Sequence, residues 1–310
     1  MVKSDLLFVI ATKNQGKTIE RNVSLCLKQT FKGKINVLIV DDKSTDGSDE
    51  IAIKIAKKNK NVDFVSTQGR GRVKGLNKAI KKANSKYLCL SAGDIFYKKD
   101  FVKTILSYFN DKSIAFVSPF SDTGGNATVW QTKIIQDLNG FDEDFNEKGT
   151  GFRDDTDLAF RAFDKGYKSV FTYKTAKFEH EHKLNIPTLG NKLKYGWSRL
   201  KIHRFDPLLY KKHPVRGIDF FDIKLGFVRN PKKDFAVATG LWKGNFDLSS
   251  PQGVVLITGD TFVKKVLIVL MGLAYVITIK SVRLYGSIKY GKLLIWMYQE
   301  GLISEVFLFY

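Results

Sequence analysis

Cysteine is nearly absent from the 310 residues. The two present, Cys26 and Cys89, fall inside apolar-periodic segments and lack the spacing of a zinc site or a disulfide framework, so both are expected as reduced core residues. Covalent stapling is thereby excluded as the source of stability, and a chain of this length can bury a sizeable core without it. The opening also lacks the pattern of a secretory signal. Its apolar run LLFVIA at 6–11 stops after about six positions, too short for a signal's apolar core, and is expected to form a first strand in a cytoplasmic protein. The C-terminal run VLIVLMGLAYVITI at 266–279 reaches about 14 residues, short of the roughly 20 that a membrane-spanning helix needs. It is expected either to be a buried helix or to lie at a membrane interface, which its flanking Lys264, Lys265, Lys280 and Arg283 and nearby Tyr275 and Tyr285 favour. No internal repeat or low-complexity tract is visible.

Acidic residues are in short supply. Asp and Glu number 31 against 51 Lys and Arg, a formal charge of +20. Such a balance suits a phosphate-bearing partner: nucleic acid, an anionic lipid surface or a phosphorylated substrate. Much of the excess is local, with twelve Lys or Arg against three Asp between Lys192 and Lys233, interleaved with Tyr195, Trp197, Phe205 and Tyr210.

The first half has a rhythm of its own. Apolar runs at 6–11, 35–40, 62–66 and 86–90 alternate with helical spacing at 17–29, 48–59 and 73–83. The rhythm continues less regularly with a strand at 114–118, helical pieces at 129–138 and 154–164, and a strand at 168–173. This alternation predicts an α/β fold with a mostly parallel, doubly wound, Rossmann-like sheet. Ligands bind beyond the carboxyl ends of such strands. The polar residues that follow the runs, Thr12 to Asn14, Asp41 to Ser44 and Ser91 to Asp94, should therefore converge on one edge.

Three stretches carry chemistry. VDDKSTDGS at 40–48 sets two carboxylates at the end of a buried strand, where they need a donor, a cation or solvent. Alone it also fits a solvated strand-to-helix turn with N-capping residues. LSAGD adds Asp94 after a second buried strand. FRDDTDLAFR at 152–161 crowds Asp154, Asp155 and Asp157 at a helix start, where the helix dipole favours negative charge. Between them, QGRGRVKGLNKA at 68–79 has the glycines of a phosphate loop without the Walker Lys-Ser/Thr ending. His180 and His182 form an H-x-H that on a strand would share one face.

Together these stretches resemble glycosyltransferase family 2, on the GT-A fold, over roughly residues 5–185. The Ala11-Thr12-Lys13-Asn14 opening, the V-D-D-x-S-x-D-G-S motif and the G-F-D-E … D-D-x-D-L-x-x-R stretch carry the resemblance. It implies an inverting transfer of sugar from a nucleotide-sugar, a UDP- or GDP-sugar, to a hydroxyl of a glycan or lipid-linked acceptor. Asp41 and Asp42, with Thr12 and Asn14, would line the nucleotide pocket, and Arg72, Lys74 and Asn77 would serve the donor. Asp94 and His180 would hold a divalent cation, Mn²⁺ or Mg²⁺. Asp155 would be the general base, with Asp154, Trp130 and His182 on the acceptor side. The chain departs from the family's metal motif at Ser91 and Gly93, which leave Asp94 as its one carboxylate.

The expected organisation is a GT-A domain at 1–185, with a nucleotide-sugar half at 1–100 and an acceptor half at 101–185. A basic, partly apolar helical extension at 186–310 would hold the protein at the inner face of the cell membrane. The competing readings are a nucleotidyltransferase of similar fold, a basic nucleic-acid- or membrane-binding protein, and a non-catalytic donor-binding protein.

Overall fold

The computed structural model describes residues 3–147, 150–172, 175–180, 188–221, 223–224, 227–228 and 261–293. The chain divides into two compact units, Met1–Asn185 with Ser249–Gln252, and Ile186–Leu248 with Gly253–Tyr310.

The first unit begins with β1 (Ser4–Thr12), α1 (Ile19–Leu27), β2 (Ile35–Asp41), α2 (Ser48–Lys58), β3 (Val62–Ser66), α3 (Arg72–Lys82) and β4 (Ser85–Ala92). There follow β5 (Ile95–Tyr97), α4 (Phe101–Leu106), β6 (Ile114–Ser118), β7 (Thr128–Gln131) and α5 (Thr132–Asp137). It ends with the short ribbon β8 (Asn146–Glu147) and β9 (Thr150–Gly151), then α6 (Asp154–Asp164), β10 (Lys168–Phe171) and β11 (Phe178–His180). Seven strands form one sheet in the order β10-β6-β7-β4-β1-β2-β3. All its pairings are parallel except those of β7 with β4 and β6.

The two-residue period of a strand builds both sides of this sheet. On β1, Leu6, Phe8 and Ile10 face a core shared with α1, α2 and α4, while Leu7 and Val9 face one shared with α3, α5 and α6. Burial on both faces explains why these strands read as unbroken apolar runs.

The stretch at 129–138 is where the helical expectation fails. Val129 and Trp130 belong to β7, and the helix begins only at Thr132. Trp130 pairs with Leu88 and Phe116 across the strands and stacks on the Phe116 ring at 4.3 Å. At 2 % exposure its ring is packed in the core rather than presented at the surface where the sequence pattern had an acceptor. The strand expected at 168–173 ends at Phe171. The two three-residue strands β5 and β11, which form an antiparallel ribbon, had no counterpart in the sequence reading.

The second unit contains α7 (Leu189–Lys201), a 3₁₀ turn at Ile202–Phe205, α8 (Asp206–Lys212), α9 (Pro214–Phe220), the bridge β12 (Ile223–Lys224) with β13 (Phe227–Val228), and α10 (Phe262–Tyr290). Here the buried Asp206 accepts hydrogen bonds from Arg283 Nε at 2.8 Å and pairs with His203 Nδ1 at 3.0 Å, tying α10 to α8. A buried carboxylate tolerates this position because a cation meets it there. No described helix is long and apolar enough to cross a membrane.

Gly75 marks how closely α3 approaches the sheet. A Cβ there would lie 2.5 Å from Thr67 Cγ2 and 2.6 Å from Val40 Cγ1. Gly75→Ala should therefore lower the melting temperature, with a loss of about 1–3 kcal/mol from overpacking that exceeds the roughly 1 kcal/mol gain in helix propensity. Thermal denaturation checks this, and a rise in melting temperature would show that the helix can move away.

Candidate active site

The turns after β1, β2 and β4 are sewn together at the carboxyl edge of the sheet. The Asp42 N–H donates to the Thr12 carbonyl at 3.0 Å, and the Gly93 N–H reaches the Ala11 carbonyl at 3.2 Å and Gln15 Oε1 at 3.0 Å. Asn14, held at φ 55°, donates its N–H to Ser44 Oγ at 2.9 Å and accepts from the Thr45 N–H on its Oδ1 at 2.8 Å. Its acceptor atom thus braces the two turns against each other. Thr12 is buried, and its hydroxyl has no hydrogen-bond partner.

The two adjacent carboxylates are separated by their partners. Asp41, at 1 % exposure, receives both the N–H and the hydroxyl of Ser44. Asp42 accepts from the Thr67 hydroxyl, from the Gly71 N–H at 2.9 Å and from Lys13 Nζ at 3.4 Å. Burial alone would raise the Asp42 pKa. The hydrogen bonds from Thr67 and Gly71 and the Lys13 charge outweigh it and hold the carboxyl below its ordinary range. Asp42 thereby anchors Gly71, the residue that opens α3, and so fixes where Arg72 starts.

The β5–β11 ribbon explains how a histidine 86 positions away reaches Asp94. Its register sets His180 opposite Ile95, and His180 Nε2 lies 3.3 Å from Asp94 Oδ2. Ser91 turns the other way and accepts a hydrogen bond from the buried Tyr97 hydroxyl at 2.7 Å. A Cβ at Gly93 would meet Gln15 Oε1, so a side chain there would have to displace the Gln15 amide that holds the Gly93 N–H. No group of three or more His, Cys, Asp or Glu side chains suited to a metal gathers among the described residues. One carboxylate and one imidazole suit Mn²⁺ or Mg²⁺ only if diphosphate oxygens and water complete the shell. The residues fit a cation that arrives with its nucleotide.

The third group sits at the start of α6. Because α6 precedes the parallel strand β10, its N-terminus lies at the same carboxyl edge, as does that of α3 before β4. Arg72 donates to Asp154 across 82 residues of sequence, and its guanidinium also lies 5.9 Å from the Phe141 ring centre. Asp154 is 2 % exposed, and Asp155 beside it keeps an opening to solvent. Burial, then the Asp154 charge, push the Asp155 pKa up to about 7, although Arg72 pulls the other way. A Cβ at Gly124, in the loop before β7, would lie 3.9 Å from Asp155 Cβ, so that loop borders the carboxylate. Asp157 belongs elsewhere: it accepts from Arg161, which also donates to the carbonyls of Leu138 and Gly140.

Among the donor-side candidates, Asn77 engages its amide within the fold. Its Nδ2 donates to the Phe141 carbonyl and its Oδ1 accepts the Phe141 N–H, both at 2.8 Å, so the amide latches α3 to the turn after α5. Lys74 extends toward Glu143 at 3.8 Å in an exposed pair. His182 lies outside the described residues. Gln15, Thr67, Tyr97 and Gly124 shape the site and went unremarked in the sequence, because each acts on a residue distant in the chain.

This sheet order, with its turns and acidic helix at one edge, is the GT-A fold of glycosyltransferases. The sequence profile described as Glycosyl transferase family 2 matches residues 7–177, and the chain belongs to that family. A mannosyltransferase from Pyrobaculum calidifontis, solved with GDP-Man and Mn²⁺, superposes with a TM-score of 0.58 at 15% identity, covering 94% of this chain and 88% of that one. The chain is 36% identical over 92 residues to poly-beta-1,6-N-acetyl-D-glucosamine synthase of Staphylococcus aureus, a match covering 29% of this chain and 22% of that protein. The Staphylococcus epidermidis protein of the same name is 32% identical over 90 residues, 28% of this chain and 21% of its own length. The chain thus matches well under two thirds of the length of these curated relatives.

If Asn77 is a latch, Asn77→Ala should cost about 1–3 kcal/mol of stability, since it strands two backbone groups of Phe141. Nucleotide affinity, measured calorimetrically below the melting point, should stay within about twofold of the parent, well under one 1.4 kcal/mol decade. A large affinity loss with unchanged stability would return Asn77 to the donor pocket.

Proposed function

We propose that the chain transfers a sugar from a nucleoside diphosphate sugar, with UDP or GDP as the nucleotide, to a hydroxyl of a glycan or lipid-linked acceptor, with inversion at the anomeric carbon. The observation that carries this reading is Asp155, a carboxylate at the ligand-binding edge whose pKa of about 7 suits a base at neutral pH. The GDP-Man and Mn²⁺ of the mannosyltransferase neighbour support a nucleotide-sugar donor and a divalent cation. The polysaccharide synthases support a glycan acceptor.

Asp155 accepts the proton of the acceptor hydroxyl as its oxygen bonds to the anomeric carbon. The bond from that carbon to the diphosphate breaks, and its electron pair leaves with the nucleoside diphosphate. Attack opposite the leaving group inverts the centre. Asp94 and His180 would hold the cation, which when bound supplies Lewis-acid neutralisation of the diphosphate. Asp41 lies in the turn assigned to the base, and Thr12 borders it. Arg72 keeps Asp154 neutralised, which holds the start of α6 in place.

Below pH 7 Asp155 holds its proton, so kcat/KM for transfer should rise with pH through a midpoint near 7. Asp155→Asn should keep nucleotide binding and lose transfer by about 10²-fold or more. Stability should move the other way. The folded pKa is raised above the unfolded value of about 4, so ionisation destabilises the fold as pH climbs from about 4 to 7. Relative to the parent, Asp155→Asn should therefore melt higher at pH 8 than at pH 5, by an amount on the order of 2 kcal/mol. Unchanged turnover would remove Asp155 from the base role, and pyrophosphate release from nucleoside triphosphates would favour a nucleotidyltransferase.

Chelation with EDTA should weaken nucleotide-sugar binding by about tenfold or more, and Asp94→Asn should abolish the response to added Mn²⁺. Titration calorimetry checks both. Binding that is tight and indifferent to metal would sink the cation site.

A further inference from the structure

Helix α10 presents apolar side chains on the face it does not bury. Ile279, Val282, Arg283 and Ser287 are buried within the second unit, with Gly286 so close to the Arg204 carbonyl that a side chain would collide with it. Away from that face Phe262 is 81%, Leu270 57%, Ile277 65% and Ile288 74% exposed, and Val266 and Leu284 are exposed with them. At about 100° per residue, these six fall within an arc of roughly 80°, whose centre lies about 135° around the helix from that of the buried set. At about 1.5 Å per residue the stripe runs the roughly 43 Å length of the helix. A solvent-facing helix normally carries polar side chains there, and a continuous exposed apolar stripe marks an interaction surface.

The charge pattern selects the partner. Residues 261–293 contain six Lys or Arg and no Asp or Glu. Lys280 stands at one edge of the arc and Lys289 about 100° beyond the other, and long cationic side chains so placed suit headgroups while the apolar face goes deeper. The described helices α7 to α9 add Lys194, Lys201, Arg204, Lys211 and Arg216, against Asp206, which Arg283 neutralises, and Asp219. A protein partner would need an acidic rim around an apolar groove, whereas an anionic bilayer offers both properties over the whole length. Since no described helix can cross a membrane, α10 would lie along the surface.

We propose that the exposed stripe of α10 docks the second unit on an anionic lipid bilayer, with Phe262, Val266, Leu270, Ile277, Leu284 and Ile288 at the acyl boundary. This role is separate from the transfer chemistry. It uses none of the residues of the candidate active site, so either can fail without the other.

The test is flotation of the full chain with vesicles of phosphatidylcholine alone and of phosphatidylcholine mixed with phosphatidylglycerol. The parent should float with the anionic vesicles and much less with the neutral ones, and added salt should weaken it. A Leu270→Gln, Ile277→Gln, Ile288→Gln variant should bind about 100-fold more weakly, with unchanged circular dichroism and nucleotide affinity. As a second reading, an environment-sensitive fluorophore on Leu284→Cys should shift to the blue on anionic vesicles only. Cys26 and Cys89 are fully buried, so labelling falls on the new site. The proposal is overturned if the parent floats with neither vesicle or if the triple variant floats as the parent does. A parent dimer that the variant converts to monomer, without vesicle binding, also overturns it and makes the stripe an interface between copies.

Discussion

The carboxylate of Asp154 is buried at the start of α6, and the guanidinium of Arg72 is paired with it there. The pair joins the first turn of α3 to the first turn of α6, two helices that precede different strands of the same sheet. Arg72 is itself placed from behind, because Asp42 receives the Gly71 N–H and the Thr67 hydroxyl. A chain of contacts therefore runs from the turn after β2, through the opening of α3, to the start of α6. Asp155 stands at its end, where burial and then the Asp154 charge raise its pKa against the opposing pull of Arg72.

The same edge explains why the carboxylate-poor metal motif is consistent with the surrounding fold. Ser91 points into the core toward the Tyr97 phenol, so an acid there would sit against a buried aromatic. The Gly93 N–H is held by the Gln15 amide, which a side chain at 93 would have to push aside. The ribbon of β5 and β11 brings His180 to Asp94 instead. A cation held by Asp94 and His180 alone would depend on its anionic partner for the rest of its shell, which would couple metal and nucleotide.

Much of this was legible in the sequence where local periodicity is strong. The strands at 62–66 and 114–118 and the helix at 154–164 stand where their apolar spacing placed them. The turn motif at 40–48 marked the ligand edge because buried strands that end in carboxylates need a reason. The failures have one cause, which is dependence on a distant partner. Val129 and Trp130 continue the apolar spacing of Ile134 and Ile135 in α5, and pairing with β4 and β6 decided for a strand at the first two. The Asn77 amide is latched to Phe141, 64 residues away, which its local motif does not announce. The Arg72–Asp154 pair spans 82 residues, and nothing local in either stretch announces it.

The account stands or falls on an in-line displacement at the anomeric carbon with Asp155 taking the acceptor proton. The most direct measurement is the anomeric configuration of the first transfer product, read by proton NMR from a donor whose sugar is α-linked to its nucleoside diphosphate. A β-linked product is the result the account predicts. An α-linked product would contradict it, because net retention requires either a second displacement or same-face attack, and neither assigns this carboxylate the role of base.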